Sequence, residues 1–180
     1  IEFTSVNKWG YNSHDKDYID LSLGSCGCFP LGFHRYDFAD TVNNQLKGFP
    51  HLSGEFLTTN DYITELAEQL YKLSGCRSIF TTSGSDAVET AIKVSRHIQG
   101  KDKRILLGFE NSYHGSTYLS QSIGGATYLH EQYGRDENCI SLPWDLDQAE
   151  KIINTLNGVC CLIVESCSWH NGLHKQSEQW

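Results

Sequence analysis

Apolar positions along this chain recur at helical spacing in several stretches, and short apolar runs separate the later ones. From Asn60 to Leu73 the residues Ile63, Leu66, Ala67, Leu70 and Leu73 fall on one helical face, and a second helix is expected over about Tyr36 to Leu46. Both stop near a glycine, Gly48 and Gly75, the residue that most easily ends a helix. From Asp86 the positions Ala87, Val88, Ala91, Ile92, Val94 and Ile98 keep the helical period, with Asp86 and Glu89 spaced like a capping box. Leu146 to Leu156 predicts a further helix. Strand patterns occur at Tyr18 to Leu23, which alternates, at Ser78 to Thr82, rich in β-branched and aromatic residues, at Arg104 to Phe109, and at Val159 to Glu165. The stretch Gly24 to Pro30 reads as an ordered turn-rich loop.

After Ser78 strands and helices alternate, so the fold class is α/β, a mostly parallel sheet with helices on both faces. Residues 1–50 are expected to form an N-terminal segment and residues 51–180 part of a larger α/β domain. In such sheets ligands bind beyond the carboxyl ends of the strands. Gly84, Tyr113 and Glu165 fall at or just past those ends.

The turn Thr82-Ser83-Gly84-Ser85 opens a helix whose first amides lack internal partners and carry the positive end of the helix dipole, so it either caps the helix or holds a phosphate. Tyr113, His114 and Gly115 share one loop, where the ring could cover a flat heterocycle or simply pack, and the imidazole could line a pocket or be structural. Glu165 by itself reads as a solvated carboxylate at a strand end.

Composition narrows the partners. A net charge of −8 over 180 residues, with no cluster of Lys and Arg, argues against a nucleic-acid surface. The chain has no apolar run of about 18 residues and no secretory signal, so neither a membrane span nor export is expected. Seven cysteines without paired zinc-type spacing suit reduced thiols in the cytoplasm, and no metal site is expected from them or from the eight histidines.

Taken together, Ser83-Gly84-Ser85-Asp86-Ala87-Val88-Glu89 with Ala91-Ile92-Lys93, then Tyr113-His114-Gly115, then Val164-Glu165, closely resemble the class III aminotransferases of the pyridoxal-phosphate fold type I group. The likeness runs more loosely from about Tyr18 to about Gly172. It implies that residues 51–180 are part of the cofactor-binding large domain, incomplete here, and that the cofactor is pyridoxal 5'-phosphate. By the same resemblance Gly84 and Ser85 would bind the phosphate, Tyr113 would stack on the ring, His114 would line the pocket and Glu165 would sit on the substrate side. The implied reaction moves an amino group between a small-molecule amine or amino acid donor and a carbonyl acceptor, in an enzyme that is typically a homodimer.

Some positions depart from the family pattern. Ser166 stands where the family usually has proline, Cys167 to Gly172 replaces a glycine-rich loop, and Ser116 stands where acetylornithine-type members carry an arginine suited to carboxylates. The family's Schiff-base lysine and pyridine-pairing aspartate have no match in context, and Lys93 and Lys175 read as surface lysines. No catalytic residue is therefore assigned. The chain, which begins at Ile1 and ends at Trp180, reads as a fragment of a longer enzyme. Two other readings are a short non-catalytic module that keeps the cofactor pocket for binding or assembly, and an aminomutase-like relative. A generic phosphate-binding α/β domain explains Gly84 and Ser85 but not the Tyr113 loop.

Overall fold

The computed structural model describes residues 5–7, 10–13, 16–22, 24, 27–48, 61–125, 127–168 and 174–175. Its chain divides into two compact units, residues 1–76 and 77–180.

In the first unit, β1 (Ser5–Asn7), β2 (Gly10–Ser13) and β3 (Lys16–Ile19) form an antiparallel sheet in sequence order. The strand expected at Tyr18 to Leu23 thus ends early. Asp20 explains the stop: its carboxylate accepts the Ser22 amide at 2.8 Å, the Ser22 hydroxyl and the Gly24 amide. A side chain that takes local amides in this way offers the backbone a turn in place of a ladder. Gly24 and Gly27 follow with φ of 77° and 79°. The two expected helices form as α1 (Tyr36–Lys47) and α2 (Asp61–Ser74). The Gly48 amide closes α1 onto Asn44 and Gln45 carbonyls, and Gly75, at φ 71°, closes α2 onto Tyr71.

The second unit departs from expectation at its start. Ser78 to Thr82 is not a strand, and Ile79 is 67% exposed. Propensity there favours an extended chain, but a strand also needs a neighbour for its amides and carbonyls, and no described residue pairs with it. Helix α3 then runs Gly84–Gln99, and its N-cap is Ser83. The Ser83 hydroxyl accepts the Asp86 amide at 3.1 Å and donates to the Asp86 carboxylate at 2.9 Å. The cap is therefore Ser83 with Asp86, three residues earlier than the Asp86–Glu89 pairing suggested by spacing.

Strand β4 (Ile105–Phe109) is followed by α4 (Tyr118–Ile123), α5 (Thr127–Tyr133), β5 (Cys139–Leu142), α6 (Leu146–Thr155) and β6 (Val159–Leu162). The strand order β5-β4-β6 is parallel throughout. A short antiparallel pair, β7 (Cys167–Ser168) with β8 (His174–Lys175), ends the described chain.

Alternation along β4 builds the two layers. Leu106 joins Ile92, Ile123, Cys139 and Cys160 on the α3 and α4 face, while Leu107 and Phe109 join Leu142 and Ala149 on the α6 face. Helices on both faces of a parallel sheet are thus realised as expected. Gly108 faces α4, where a Cβ would lie 2.4 Å from the Ile123 carbonyl oxygen, so only glycine lets that helix approach. Cys139 is packed into the first layer, and burial pushes its thiol up to about 12.

Candidate functional site

The carboxyl end of β4 opens into residues 110–116, a loop held by hydrogen bonds at Glu110, Ser112, Tyr113 and Ser116. Its start hangs on Phe109, whose carbonyl accepts the Ser112 amide at 3.2 Å and the Ser112 hydroxyl at 2.6 Å. Trp144 donates its indole N–H to the Glu110 carbonyl at 2.6 Å, and the Ser112 carbonyl accepts the Gly125 amide at 2.9 Å. Asn111 takes the left-handed conformation at φ 55°, which asparagine tolerates better than most residues and which turns the chain out of the strand.

Across from this loop stands the start of α3. Ser83 occupies the Asp86 amide with its hydroxyl and the Ala87 amide with its carbonyl, which leaves the Gly84 and Ser85 amides without an acceptor among the described residues. No atom lies within 4 Å of where a Cβ at Gly84 would be. Two unused donors at the positive end of a 16-residue helix, beside the open space at Gly84, suit an anion.

The Ser85 hydroxyl ties the two parts together by accepting the Ser116 amide at 3.0 Å. It retains its own hydrogen to donate. Gly115 makes this approach possible: at φ 134° it holds a conformation closed to most L-residues, and a Cβ there would meet both the Ser85 and the Ser120 hydroxyl at 2.6 Å. Glu165, just past β6, accepts the Tyr113 amide at 3.1 Å. Gly84, Ser85, Tyr113, His114 and Glu165, which are distant in sequence, therefore belong to one neighbourhood in which the Tyr113 side chain remains 42% exposed.

His114 is buried to 8% exposure, and its Nε2 is a buried polar atom with no hydrogen-bond partner among the described residues. Burial lowers its pKa from the ordinary 6.5, against a smaller upward pull from the Glu165 charge. The folded form therefore keeps the ring neutral where the unfolded chain would protonate it. Stability assigned to this residue is full above 6.5 and is lost as pH falls below it, at no more than about 1.4 kcal/mol per pH unit. Urea unfolding at pH 7.5 and 5.5 checks this: His114→Gln should lose less stability between those values than the parent, and equal losses would refute it.

The sequence reads Glu89 as half of a capping box and Ser116 as a departure from the family pattern, and in the structure both are members of the site. Glu89 accepts the Thr117 hydroxyl at 2.7 Å and the Leu119 and Ser120 amides at 2.9 and 3.2 Å. Among the described residues no group of His, Cys, Asp and Glu could hold a metal ion, and no helix is long and apolar enough to cross a membrane.

Comparison with known proteins places the chain in a family. The model for the family described as "Aminotransferase class-III" matches residues 4–178. An acetylornithine aminotransferase of Wolinella succinogenes is 29% identical over 99% of this chain and 46% of its own length. A putrescine–pyruvate aminotransferase of Pseudomonas aeruginosa is 32% identical over 68% of this chain and 28% of its own. Among solved structures, an omega-aminotransferase from Paracoccus denitrificans superposes with a TM-score of 0.79 at 22% identity, covering 92% of this chain and 43% of that one. An amine transaminase from an uncultivated Pseudomonas species, solved in its PLP-bound form, gives 0.69 at 25% identity, covering 77% and 38%. The chain spans about half the length, 46%, of the first of these curated relatives.

Proposed function

The chain belongs to the class-III aminotransferases, and from that premise we propose that it forms part of the pyridoxal 5'-phosphate site of an enzyme that moves an amino group between an amine or amino acid and a carbonyl compound. When bound, the cofactor supplies the electron sink for that chemistry. In this reading the Gly84 and Ser85 amides and the Ser85 hydroxyl hold the phosphate, and the exposed Tyr113 ring covers one face of the heterocycle. Neutral His114 closes the floor beneath. Glu165 keeps a carboxylate on the substrate side while its bond to the Tyr113 amide fixes the loop that bears the ring.

One observation carries the proposal: two unused amides at the start of α3 lie beside a hydroxyl that is already fastened to the aromatic loop. Phosphate binding and ring stacking are thereby offered at one place. The same reading includes a homodimer in the cytoplasm. Apolar residues Phe38 and Leu46 on α1 and Leu66 on α2 are exposed, surface that a second subunit would cover.

The test is equilibrium binding of pyridoxal phosphate followed by absorbance, with inorganic phosphate as competitor. Binding that phosphate displaces, and that Tyr113→Ala weakens by about tenfold, supports the site. Binding that neither change affects would overturn it.

A further inference from the structure

We propose that Glu89 is a positioning residue of this site, holding the aromatic loop across the phosphate turn. The inference rests on the cofactor reading above. Ser85 and Glu89 lie four residues apart on α3 and so share one face of the helix, the face toward α4. Each grips the same strip of chain: Ser85 takes the Ser116 amide, and Glu89 takes the Thr117 hydroxyl with the Leu119 and Ser120 amides. All three bonds from that strip converge on a single carboxylate oxygen, Oε1.

The chemistry suits the place. α4 has only six residues; its first amides have no partner within the helix, and the local capping box of Thr117 with Ser120 reaches only the Ser120 amide among them. A carboxylate supplied from α3 satisfies two of those amides and sits at the positive end of their dipoles. Among the described residues Glu89 has no cationic partner, so these donors are what compensate its charge.

The consequence reaches Tyr113. The loop carrying it is anchored at one end on the Phe109 carbonyl and at the other on Glu89 and Ser85. Glu89 bears most of the second anchorage, which leaves the Ser85 hydroxyl able to accept the Ser116 amide and still offer its hydrogen to a phosphate. Without Glu89 the phosphate turn stays intact, capped by Ser83, but the Thr117 end of the loop loses its anchor, and the ring keeps only the Glu165 bond to its amide and the Ser85 bond to Ser116.

Separate titrations with inorganic phosphate and with pyridoxal phosphate distinguish this role from a purely structural one. Glu89→Ala should leave phosphate affinity within about twofold of the parent and lower pyridoxal phosphate affinity about tenfold, the scale of losing hydrogen bonds to a charged group. Glu89→Gln keeps an acceptor oxygen for the same donors and should restore most of the difference. Glu89→Ala combined with Tyr113→Ala should bind pyridoxal phosphate no worse than Tyr113→Ala alone. If Glu89→Ala does not fold, Thr117→Val removes one donor to Glu89, together with the Thr117 hydroxyl's bonds to Ser120, and should show the same selective loss at about two- to fivefold. Equal loss of both ligands, loss of neither, or a Glu89→Gln variant as weak as Glu89→Ala overturns the proposal. A parent protein that binds neither ligand instead overturns the cofactor reading, and this proposal with it.

Discussion

Phe109→Ala should cost the second unit about 3–5 kcal/mol, the range for removing a large aromatic from a packed core. Phe109 is 1% exposed and stacks on Trp144 with ring centroids 4.6 Å apart and planes 19° from parallel. It also belongs to the cluster with Leu107, Leu142 and Ala149 that seals the α6 face of the sheet. Alanine leaves a cavity between two elements that cannot both move in, because β4 is hydrogen-bonded to strands on either side. Natural domains hold only about 5–15 kcal/mol in all, so this one change removes a large share. Urea unfolding followed by tryptophan fluorescence measures it. Phe109→Leu fills most of the volume and should cost less than half as much. A loss under about 1 kcal/mol for the alanine variant would mean that the two rings do not pack as observed.

The fold was legible where burial and period agree. α1, α2, α3 and α6 repeat apolar residues at helical spacing, and β4 is an uninterrupted apolar run, so each lies where the pattern puts it. α4 is invisible to the same test because two of its three buried residues are serines. Ser120 and Ser122 are fully buried and satisfied by polar partners: the Ser122 hydroxyl accepts the Asp136 amide at 3.0 Å, and its carbonyl accepts Arg135 Nε at 2.9 Å. β5, four residues long, is too short for alternation to register. Ser78 to Thr82 fails for the opposite reason. Its propensity is that of a strand, but pairing is a property of the neighbour, which propensity does not report.

The candidate site shows the same division. Gly84, Ser85, Tyr113, His114 and Glu165 come from the family resemblance, and the geometry that links them, Ser85 to Ser116 and Glu165 to Tyr113, spans 31 and 52 residues. Glu89 was hidden by a competing local explanation. Three residues after Asp86 it resembles the second half of a capping box, and only the position of Ser83 as the true cap frees it for a longer-range task. Local spacing assigns a side chain to the nearest use, whereas the folded chain assigns it to the least satisfied donors.

Gly115→Ala should be the most damaging single change to cofactor binding, lowering pyridoxal phosphate affinity by at least about tenfold, or about 1.4 kcal/mol. Two costs combine. At φ 134° an L-residue is strained by about 1–3 kcal/mol wherever it is held. The new Cβ would also lie 2.6 Å from the Ser85 and Ser120 hydroxyls, both of which are committed, one to the Ser116 amide and the other to the Thr117 amide at 3.0 Å. Relief by rotating those hydroxyls breaks the bonds that fix the loop; relief by moving the loop carries Tyr113 away from the start of α3. Either way the phosphate turn and the ring separate. Ser120→Ala added to Gly115→Ala removes one clash without touching a group that holds the phosphate, but leaves the backbone strain, so it should not restore affinity. If it does, crowding rather than conformation sets the requirement for glycine. Because residue 115 lies outside the sheet core, the melting temperature should fall less than for Phe109→Ala, and dialysis followed by absorbance of retained cofactor should show the larger effect.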